Sequence, residues 1–197
     1  MEIDAIKTQL DQIWSSIKNN LIFFFGKKYA NDDNYSINFA RWTLEVTTKN
    51  KIIYENKVNK TDKEMARRRR GQVYWIDFGK NIGSEFNDQH FCIVIRESEF
   101  TAIVVPISSQ KEDTPDWKRS EELIVLIGLL NDLPGDKLPC YALVHQIRTV
   151  SKQRLSNFKY KGSYIEIKLT NEQLDKIDQA VLKLSGTTKP KENNSKL

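Results

Sequence analysis

The spacing of apolar residues divides the chain into a helical first third and a β-rich remainder. Apolar residues near the start recur at alternating steps of three and four, which predicts one stripe of a helix: Ile3, Ile6, Leu10, Ile13, Ile17 and Leu21. A second stripe at Phe39, Trp42, Val46 and Ile53 follows the turn-forming run Asn31-Asp32-Asp33-Asn34. Residues 1–65 are therefore predicted to form a helical hairpin. The apolar stripe of the hairpin has three alternative packing partners: its own second helix, the following domain or a second copy of the chain. The sequence does not decide between them.

From Gly71 onward the pattern changes to short runs that are rich in β-branched and aromatic residues. Six strands are predicted: Val73–Phe78, Cys92–Arg96, Ala102–Pro106, Leu123–Ile127, Tyr141–Gln146 and Tyr164–Leu169. Many short strands separated by Gly and Pro indicate a compact barrel or a curled antiparallel sheet. A helix follows, with Thr170 as its N-cap, Gln173 completing a capping box, and an apolar stripe of Leu174, Ile177, Val181 and Leu184. We assign residues 71–186 to this domain.

The segments on either side of the β-rich domain are charged or polar. Residues 66–70 form a basic linker that ends in four consecutive arginines, 67–70. This run is either a clamp for an RNA backbone or a solvated linker. The formal net charge of +5 fits a polyanionic partner. Residues 187–197 are polar and are predicted to be disordered.

Cysteine usage and hydropathy narrow the class of protein. Cys92 and Cys140 lie in apolar strand-like runs, which predicts buried free thiols. No cluster of ligands suggests a metal site, and no cofactor is expected. The first twenty residues show no signal peptide, and the longest aromatic-apolar run, Leu21–Phe25, is far below the ~20 residues that span a bilayer. We expect a cytoplasmic protein without a membrane segment.

Four sequence blocks occur in a fixed order in the β-rich region. They are Arg70-Gly71 followed by Val73-Tyr74-Trp75, then Gly83-Ser84-Glu85, then Pro106-Ile107-Ser108-Ser109-Gln110, and then Gln146-Ile147-Arg148-Thr149-Val150. From Arg70 to about Leu184 the chain resembles the MazF/PemK (Kid) family of type II toxin endoribonucleases. The resemblance implies an α+β fold: a small SH3-like, PemK-type curled antiparallel β barrel with a C-terminal helix, here preceded by the α-helical hairpin.

The resemblance also implies an activity and partners. Such toxins are sequence-selective, metal-independent endoribonucleases (mRNA interferases) that cut single-stranded RNA by attack of a ribose 2′-hydroxyl on the adjacent phosphate. The products are a 2′,3′-cyclic phosphate and a 5′-hydroxyl. A homodimer, RNA binding, DNA binding and an acidic antitoxin are expected on the same ground. A different class remains open: a protein-binding poison or regulator on the same fold, like the gyrase-binding relatives, with no ribonuclease activity.

The two histidines of the chain stand where this family keeps other reactive residues. His90-Phe91 replaces the common Arg-Pro pair after the first loop, and His145 replaces an acidic residue before Gln146. Either the site is degraded or it works with imidazoles. An imidazole with a pKa near ~6.5 can take or give a proton at neutral pH. His90 and His145 are therefore candidate catalytic residues, with a strand-edge role and an RNA-stacking role as the respective alternatives.

The remaining candidate residues follow from the blocks. Ser108 stands where the family keeps a threonine hydroxyl that holds the scissile phosphate, so it is a catalytic candidate, with a turn serine as the alternative. The resemblance makes Gln146, Ser109 and Gln110 candidates for RNA contact. Arg148 either binds phosphate or braces the sheet. Glu85 is a candidate for RNA contact too, although shaping the loop or meeting the antitoxin is the favoured role.

Overall fold

The structure is a computed structural model of the 197-residue chain, and it describes residues 3–23, 35–59, 66–116, 121–133 and 138–186. The chain forms two compact units, Met1–Lys63 and Glu64–Leu197. Each unit is built from its own elements and is considered by itself below.

The first unit contains two helices, α1 (Ile3–Phe23) and α2 (Tyr35–Val58). The Ser36 hydroxyl at the start of α2 donates a hydrogen bond to the carbonyl oxygen of Leu21, at 2.8 Å. The apolar stripe of α1 is largely exposed, with Ile3 at 70% and Ile13 at 55%. The predicted turn at 31–34 lies outside the described residues. No helix in the described ranges is long and apolar enough to cross a membrane.

The second unit is built on a curled antiparallel sheet. Its strands are β1 (Gln72–Asp77), β2 (Gln89–Glu97), β3 (Thr101–Ser109), β4 (Ile124–Gly128), β5 (Cys140–Leu143), β6 (Arg148–Ser151) and β9 (Ile167–Lys168). The order is β4-β5-β3-β2-β1-β9, and β6 also pairs with β3. Because the long strand β3 pairs with β5 through its C-terminal half and with β6 through its N-terminal half, the sheet bends into a half-barrel. A separate hairpin joins β7 (Phe158–Tyr160) and β8 (Ser163–Ile165).

The C-terminal helix α3 (Asn171–Leu184) covers one face of the sheet. The capping box is confirmed: Thr170 Oγ1 accepts a hydrogen bond from the Gln173 amide, and the Gln173 side chain accepts one from the Thr170 amide. Leu174 is buried as predicted, but Leu184 is 42% exposed, and Ala180 is buried instead. Gly71 has a φ of +79°, and a Cβ there would stand 3.0 Å from the Leu174 side chain. Glycine is therefore required where the chain enters β1 beneath the helix.

The sheet separates two apolar clusters. The cluster under α3 includes Ile93, Val105 and Ile177, each fully buried. On the opposite face lies a second cluster of Tyr74, Ile76, Phe78, Cys92, Val94, Ala102, Val104, Val150 and Leu155. Both cysteines are buried free thiols, as predicted, and burial raises the pKa of Cys92 to about 12. The predicted fold class of the domain is thus confirmed, and the second cluster positions the candidate site.

The strand count from sequence was wrong in the C-terminal half of the domain. The predicted strand Tyr141–Gln146 ends at Leu143 and continues as a 3-10 turn, Val144–Gln146. Strands β6 and β7 were not predicted, and Tyr164–Leu169 is divided into β8 and β9. Strand β7 alternates aromatic and lysine residues as a strand does, but it is only three residues long, too short for its pattern to stand out. It joins β8 through a tight turn with positive φ at Lys161 and Gly162.

Candidate active site

Strand register brings His90 and Ser108 to one face of the sheet. His90 lies opposite Ile76, and Cys92 lies opposite Pro106 in the antiparallel pair β2–β3. Side chains alternate with a period of two along a strand. His90 is two residues from Cys92 on β2, and Ser108 is two residues from Pro106 on β3. Both side chains therefore lie on the face of the sheet that carries Cys92. Both are half-buried.

Arg148 reaches the same face from β6. It lies opposite Val104, which belongs to the cluster on that face, and directly opposed residues share a face. The Arg148 guanidinium carbon lies 5.2 Å from the centre of the Phe78 ring, which is cation–π distance. Its Nη2 donates a 3.2 Å hydrogen bond to Oε1 of Gln146. The guanidinium is therefore held in a defined place at the end of the apolar cluster.

Phe86, in the loop between β1 and β2, is the shared neighbour of these groups. Its ring centre lies 4.4 Å from the His90 imidazole and 5.3 Å from the Phe78 ring. It also packs against the cluster of Ile124, Tyr141 and Leu143, in which Tyr141 is the cross-strand partner of Ser108. The Phe86 ring is therefore an apolar neighbour of the imidazole. Its packing contacts connect the His90 end of β2 with the Ser108 end of β3.

Gln146 holds the β1–β2 loop. Its Oε1 accepts a hydrogen bond from the Phe86 amide at 3.2 Å, and its Nε2 donates one to the Ser84 carbonyl at 3.5 Å. The loop is tightened from inside by Asn81, whose Nδ2 donates to the carbonyls of Phe78 at 3.2 Å and Phe86 at 2.9 Å. The residue expected to contact RNA thus also fixes the position of Phe86.

The other predicted site residues surround this group. His145 is exposed on the 3-10 turn next to Gln146, and Glu85 is exposed in the loop. Ser109 is exposed at the end of β3, opposite Cys140, and the Gln110 amide donates to the Pro139 carbonyl at 2.7 Å. His90, Ser108, Gln146 and Arg148 thus share one region around Phe86. His145, Glu85 and Ser109 are the exposed sequence neighbours of Gln146, Phe86 and Ser108.

Sequence reasoning missed three contributors: Phe86, Tyr141 and Arg154. Arg154 is half-buried, and its Nη2 donates a 2.5 Å hydrogen bond to the Asp77 carbonyl. Burial lowers the pKa of the Arg154 guanidinium; the Asp77 carboxylate opposes this shift, and the positive charge of Arg148 adds to it. Two arginines therefore place positive charge next to the cluster. A lone phenylalanine in a polar loop was the available signal for Phe86. Arg154-Leu155 follows the Gln146 block, but nothing in the sequence indicated the contact of Arg154 with Asp77.

The chemical capacity of the site follows from these groups. It combines an imidazole that can exchange a proton near neutral pH, a hydroxyl donor and guanidinium charge, which suits a reaction that develops negative charge on a phosphoryl group. In the part of the chain that the structure describes, no group of three or more His, Cys, Asp or Glu side chains could hold a metal ion.

Solved structures with a similar fold were compared with the chain. One is an endoribonuclease from a mycobacterial species, 19% identical, covering 63% of this chain and 96% of its own, with a TM-score of 0.41. Another is MazF from Deinococcus radiodurans, 14% identical, covering 61% and 98%, with a TM-score of 0.42. A third is the MazE–MazF structure from the same organism, 12% identical, covering 62% and 99%, with a TM-score of 0.40. A search of curated proteins gave no match.

The family assignment rests on the sequence of the second unit. Residues 69–185, more than half of the 197-residue chain, match the family described as PemK-like, MazF-like toxin of type II toxin–antitoxin systems. The matched range begins at the arginine run, contains every candidate site residue and ends with α3. The chain therefore belongs to the family of PemK-like, MazF-like toxins of type II toxin–antitoxin systems.

Proposed function

We propose that this chain is a sequence-selective, metal-independent endoribonuclease that cleaves single-stranded RNA in the cytoplasm as the toxin of a type II pair. One observation carries the proposal: within a toxin-family domain, His90, Ser108 and Arg148 meet on one face of the sheet beside Phe86. A protein that only bound another protein would have no need of a proton-exchanging imidazole next to a hydroxyl and a guanidinium.

The proposed reaction is a transesterification within the RNA strand. The 2′-oxygen bonds to the adjacent phosphorus, and the bond from phosphorus to the 5′-oxygen of the next nucleotide breaks. His90 takes the proton of the 2′-hydroxyl, and His145 supplies a proton to the departing 5′-oxygen. Ser108 and Arg148 donate hydrogen bonds to the phosphoryl oxygens as negative charge grows on them. The products are a 2′,3′-cyclic phosphate and a 5′-hydroxyl.

The proposed partners follow from the family and from charge. We propose a homodimer that binds RNA or, in competition with it, an extended segment of an acidic antitoxin. The net charge of +5 is complementary to such a partner and would speed its association. Gln146, Ser109 and Gln110 are the proposed contacts to RNA, and Glu85 belongs to the loop that either RNA or the antitoxin would meet.

The direct test is incubation of the purified full chain with long single-stranded RNA in EDTA, without antitoxin. We expect discrete fragments whose 5′ ends accept phosphate from a polynucleotide kinase without prior phosphatase treatment, because the products carry 5′-hydroxyls. Intact RNA would refute the proposed ribonuclease activity and favour a protein-binding poison or regulator on the same fold. Fragments with 5′-phosphates would refute the proposed attack by the 2′-hydroxyl.

A further inference from the structure

The arginine run 67–70 lies along the end of β2 and is held there. The Gly71 amide donates to the Val94 carbonyl at 2.8 Å, and Arg70 Nη1 donates to the Ile95 carbonyl at 3.1 Å. The Arg68 amide donates to the Glu97 carboxylate at 2.8 Å. These bonds fix the backbone of the run, so its side chains project from a defined place on the domain.

Two of the four arginines bind other groups of the domain through their side chains, and the other two project into solvent. Arg68 lies 4.8 Å over the Tyr74 ring and donates to the Leu155 carbonyl at 3.0 Å, and Arg70 forms an ion pair with Asp178. Arg67 is exposed over 89% of its side chain and has only a 3.5 Å contact with Glu97. Among the described residues, the exposed side chain of Arg69 has no hydrogen-bond or ion-pair partner.

The run forms the common wall of two cavities. One, of ≈ 610 Å³, is lined by the four arginines with Ile95, Arg96 and Glu97. The other, of ≈ 510 Å³, is lined by residues 66–69, 72–74, 157 and 164–166, and includes the exposed ring of Tyr164. Nε of Arg68, whose residue lines both cavities, is buried without a hydrogen-bond partner in the described structure.

The β7–β8 hairpin contributes the ring of Tyr164 to the second cavity and carries lysines beside its exposed rings. Tyr164 is 66% exposed, and the Lys159 ammonium lies 4.5 Å from its ring centre. On the same hairpin, the Lys161 ammonium lies 5.4 Å from the ring centre of Tyr160. Exposed rings beside cationic side chains are the combination that binds single-stranded nucleic acid, through base stacking and phosphate contacts.

The acidic side chains of this region are already engaged. Glu97 accepts a 2.7 Å contact from the buried Lys152 ammonium as well as the Arg68 amide, and these partners lower the pKa of its carboxyl. Glu166 accepts a hydrogen bond from the Gln72 side chain, a neutral donor that leaves the negative charge of the carboxylate in place. The exposed cations of the region outnumber these two carboxylates, and they are Arg67, Arg69, Arg96, Lys159 and Lys161.

We propose that Arg67, Arg69, Arg96, Lys159 and Tyr164 form a second binding surface for single-stranded RNA, separate from the candidate active site. This arginine–tyrosine surface lies at the opposite end of β2 from His90: Arg96 is six residues along the strand, or about 20 Å at ~3.3 Å per residue. It would hold a flanking stretch of the strand by stacking and charge. The inference rests on the proposed function only for the choice of RNA as the polyanion.

The test measures binding rather than cleavage. The full chain is titrated with a fluorescent single-stranded RNA whose 2′-hydroxyls are methylated, so that no attack can occur, and anisotropy is read at several salt concentrations. Tyr164→Ala should raise Kd about five-fold or more through the lost stacking, and Tyr164→Phe should restore binding. Arg69→Ala should reduce the slope of log Kd against log salt by about 0.7, the value for one phosphate contact on a single strand.

Matched controls separate this surface from general effects. Tyr54→Ala removes an equally exposed ring on α2, and Lys176→Ala removes a cation from the surface of α3; both should bind like the parent. With cleavable RNA, Tyr164→Ala should raise KM and leave kcat unchanged, because it acts on binding alone.

The outcomes distinguish this inference from the proposed function. Parent-like Kd and salt slope in both Tyr164→Ala and Arg69→Ala would overturn the arginine–tyrosine surface and leave the ribonuclease intact. Stronger displacement by duplex DNA than by single-stranded RNA would overturn its assigned ligand. A parent that binds through this surface but cleaves nothing would refute the proposed function and retain the inference.

Discussion

At the scale of single residues, Ser108 provides a test with little risk to folding. It is half-buried at the end of β3 on the His90 face. Ser108→Ala should lower kcat about 10- to 100-fold, because one donor to the developing phosphoryl charge is lost. Ser156→Ala, a change at an exposed serine beside β1, serves as the matched control and should cleave RNA at the parent rate. Equal rates for both variants would remove Ser108 from the mechanism.

His90→Arg tests whether the imidazole works as a titrating group. The substitution installs the residue that is common in this family, and a guanidinium with a pKa above ~12 does not titrate near neutral pH. We expect residual cleavage by His90→Arg. Its rate should stay constant over the pH range in which the rate of the parent changes because of His90. A His90→Arg variant that keeps the complete pH profile of the parent would show that the profile arises elsewhere.

The candidate residues were accessible from sequence to different degrees. His90, Ser108 and Arg148 were identified because they lie in blocks with a fixed order. Their convergence could not be derived, since it depends on the register of β2 with β3 and on the pairing of β3 with β6, a strand that lies far from both in the chain. The contact of Arg154 could not be derived either, because its partner, the Asp77 carbonyl, is 77 residues away.

At the scale of elements, the β1–β2 loop depends on Gln146. Gln146→Ala removes the acceptor of the Phe86 amide and the donor to the Ser84 carbonyl. Hydrogen exchange at the amides of 84–86 should therefore become faster, and cleavage should fall because Phe86 is no longer held against His90. Gln153→Ala, at an exposed glutamine on the next 3-10 turn, should change neither. Unchanged exchange in Gln146→Ala would mean that the internal hydrogen bonds of the loop, such as those of Asn81 and Asn87, are enough to hold it.

The junction of β2 with the arginine run depends on Glu97. Glu97→Gln leaves the Lys152 ammonium, 6% exposed, without its carboxylate, which should cost about 1–3 kcal/mol of unfolding free energy. The exposed pair Glu172–Lys176 is the control, and Glu172→Gln should cost less than about 1 kcal/mol in denaturant titration. A parent-like midpoint for Glu97→Gln would contradict this role.

The same carboxyl predicts the direction of a pH effect. Its partners, first Lys152 and then the Arg68 amide, lower the pKa of Glu97 from the ordinary value of 4.5. Its contribution to stability is therefore complete above pH 4.5 and is lost as pH falls through the lower folded-state pKa. The stability difference between parent and Glu97→Gln should shrink over that acidic range, and a difference that grows on acidification would contradict the assignment.

Elements whose own residues mark where they begin or end were predicted well. Elements whose limits depend on short or distant pairings were not. The helix α3 carries its own start signal in Thr170 and Gln173, and both hydrogen bonds of the box are present. Strand β7 has no such signal, because its alternation of aromatic and lysine residues extends over only three residues. The turn at Lys161-Gly162 closes its hairpin with β8. The break after Leu143 is likewise set by tertiary pairing, since β5 leaves β3 there and β6 replaces it.

At the scale of the whole molecule, the proposed homodimer has a simple measurement. Light scattering at micromolar concentration should give twice the 23.0 kDa mass of the chain. Addition of an acidic antitoxin segment should inhibit cleavage in competition with RNA, and higher salt should weaken that inhibition because the attraction is electrostatic. A stable monomer that cleaves RNA at full rate would contradict the dimer, and inhibition that is insensitive to salt would contradict charge-driven pairing.

The central claim is tested most directly by the pH–rate profile of RNA cleavage in EDTA for the parent, His90→Ala and His145→Ala. The parent should show a bell-shaped profile, with one limb set by the group that accepts a proton and the other by the group that donates one. His90→Ala should lose roughly 100-fold or more in rate, the scale of a lost proton-transfer group, and His145→Ala should lose a similar factor because it removes the proposed proton donor. A smaller loss for His145→Ala would mean that His145 only positions the RNA. Parent-rate cleavage by His90→Ala with a flat profile between about pH 5 and 8 would contradict the imidazole mechanism, and the blocks would then describe a fold rather than a site.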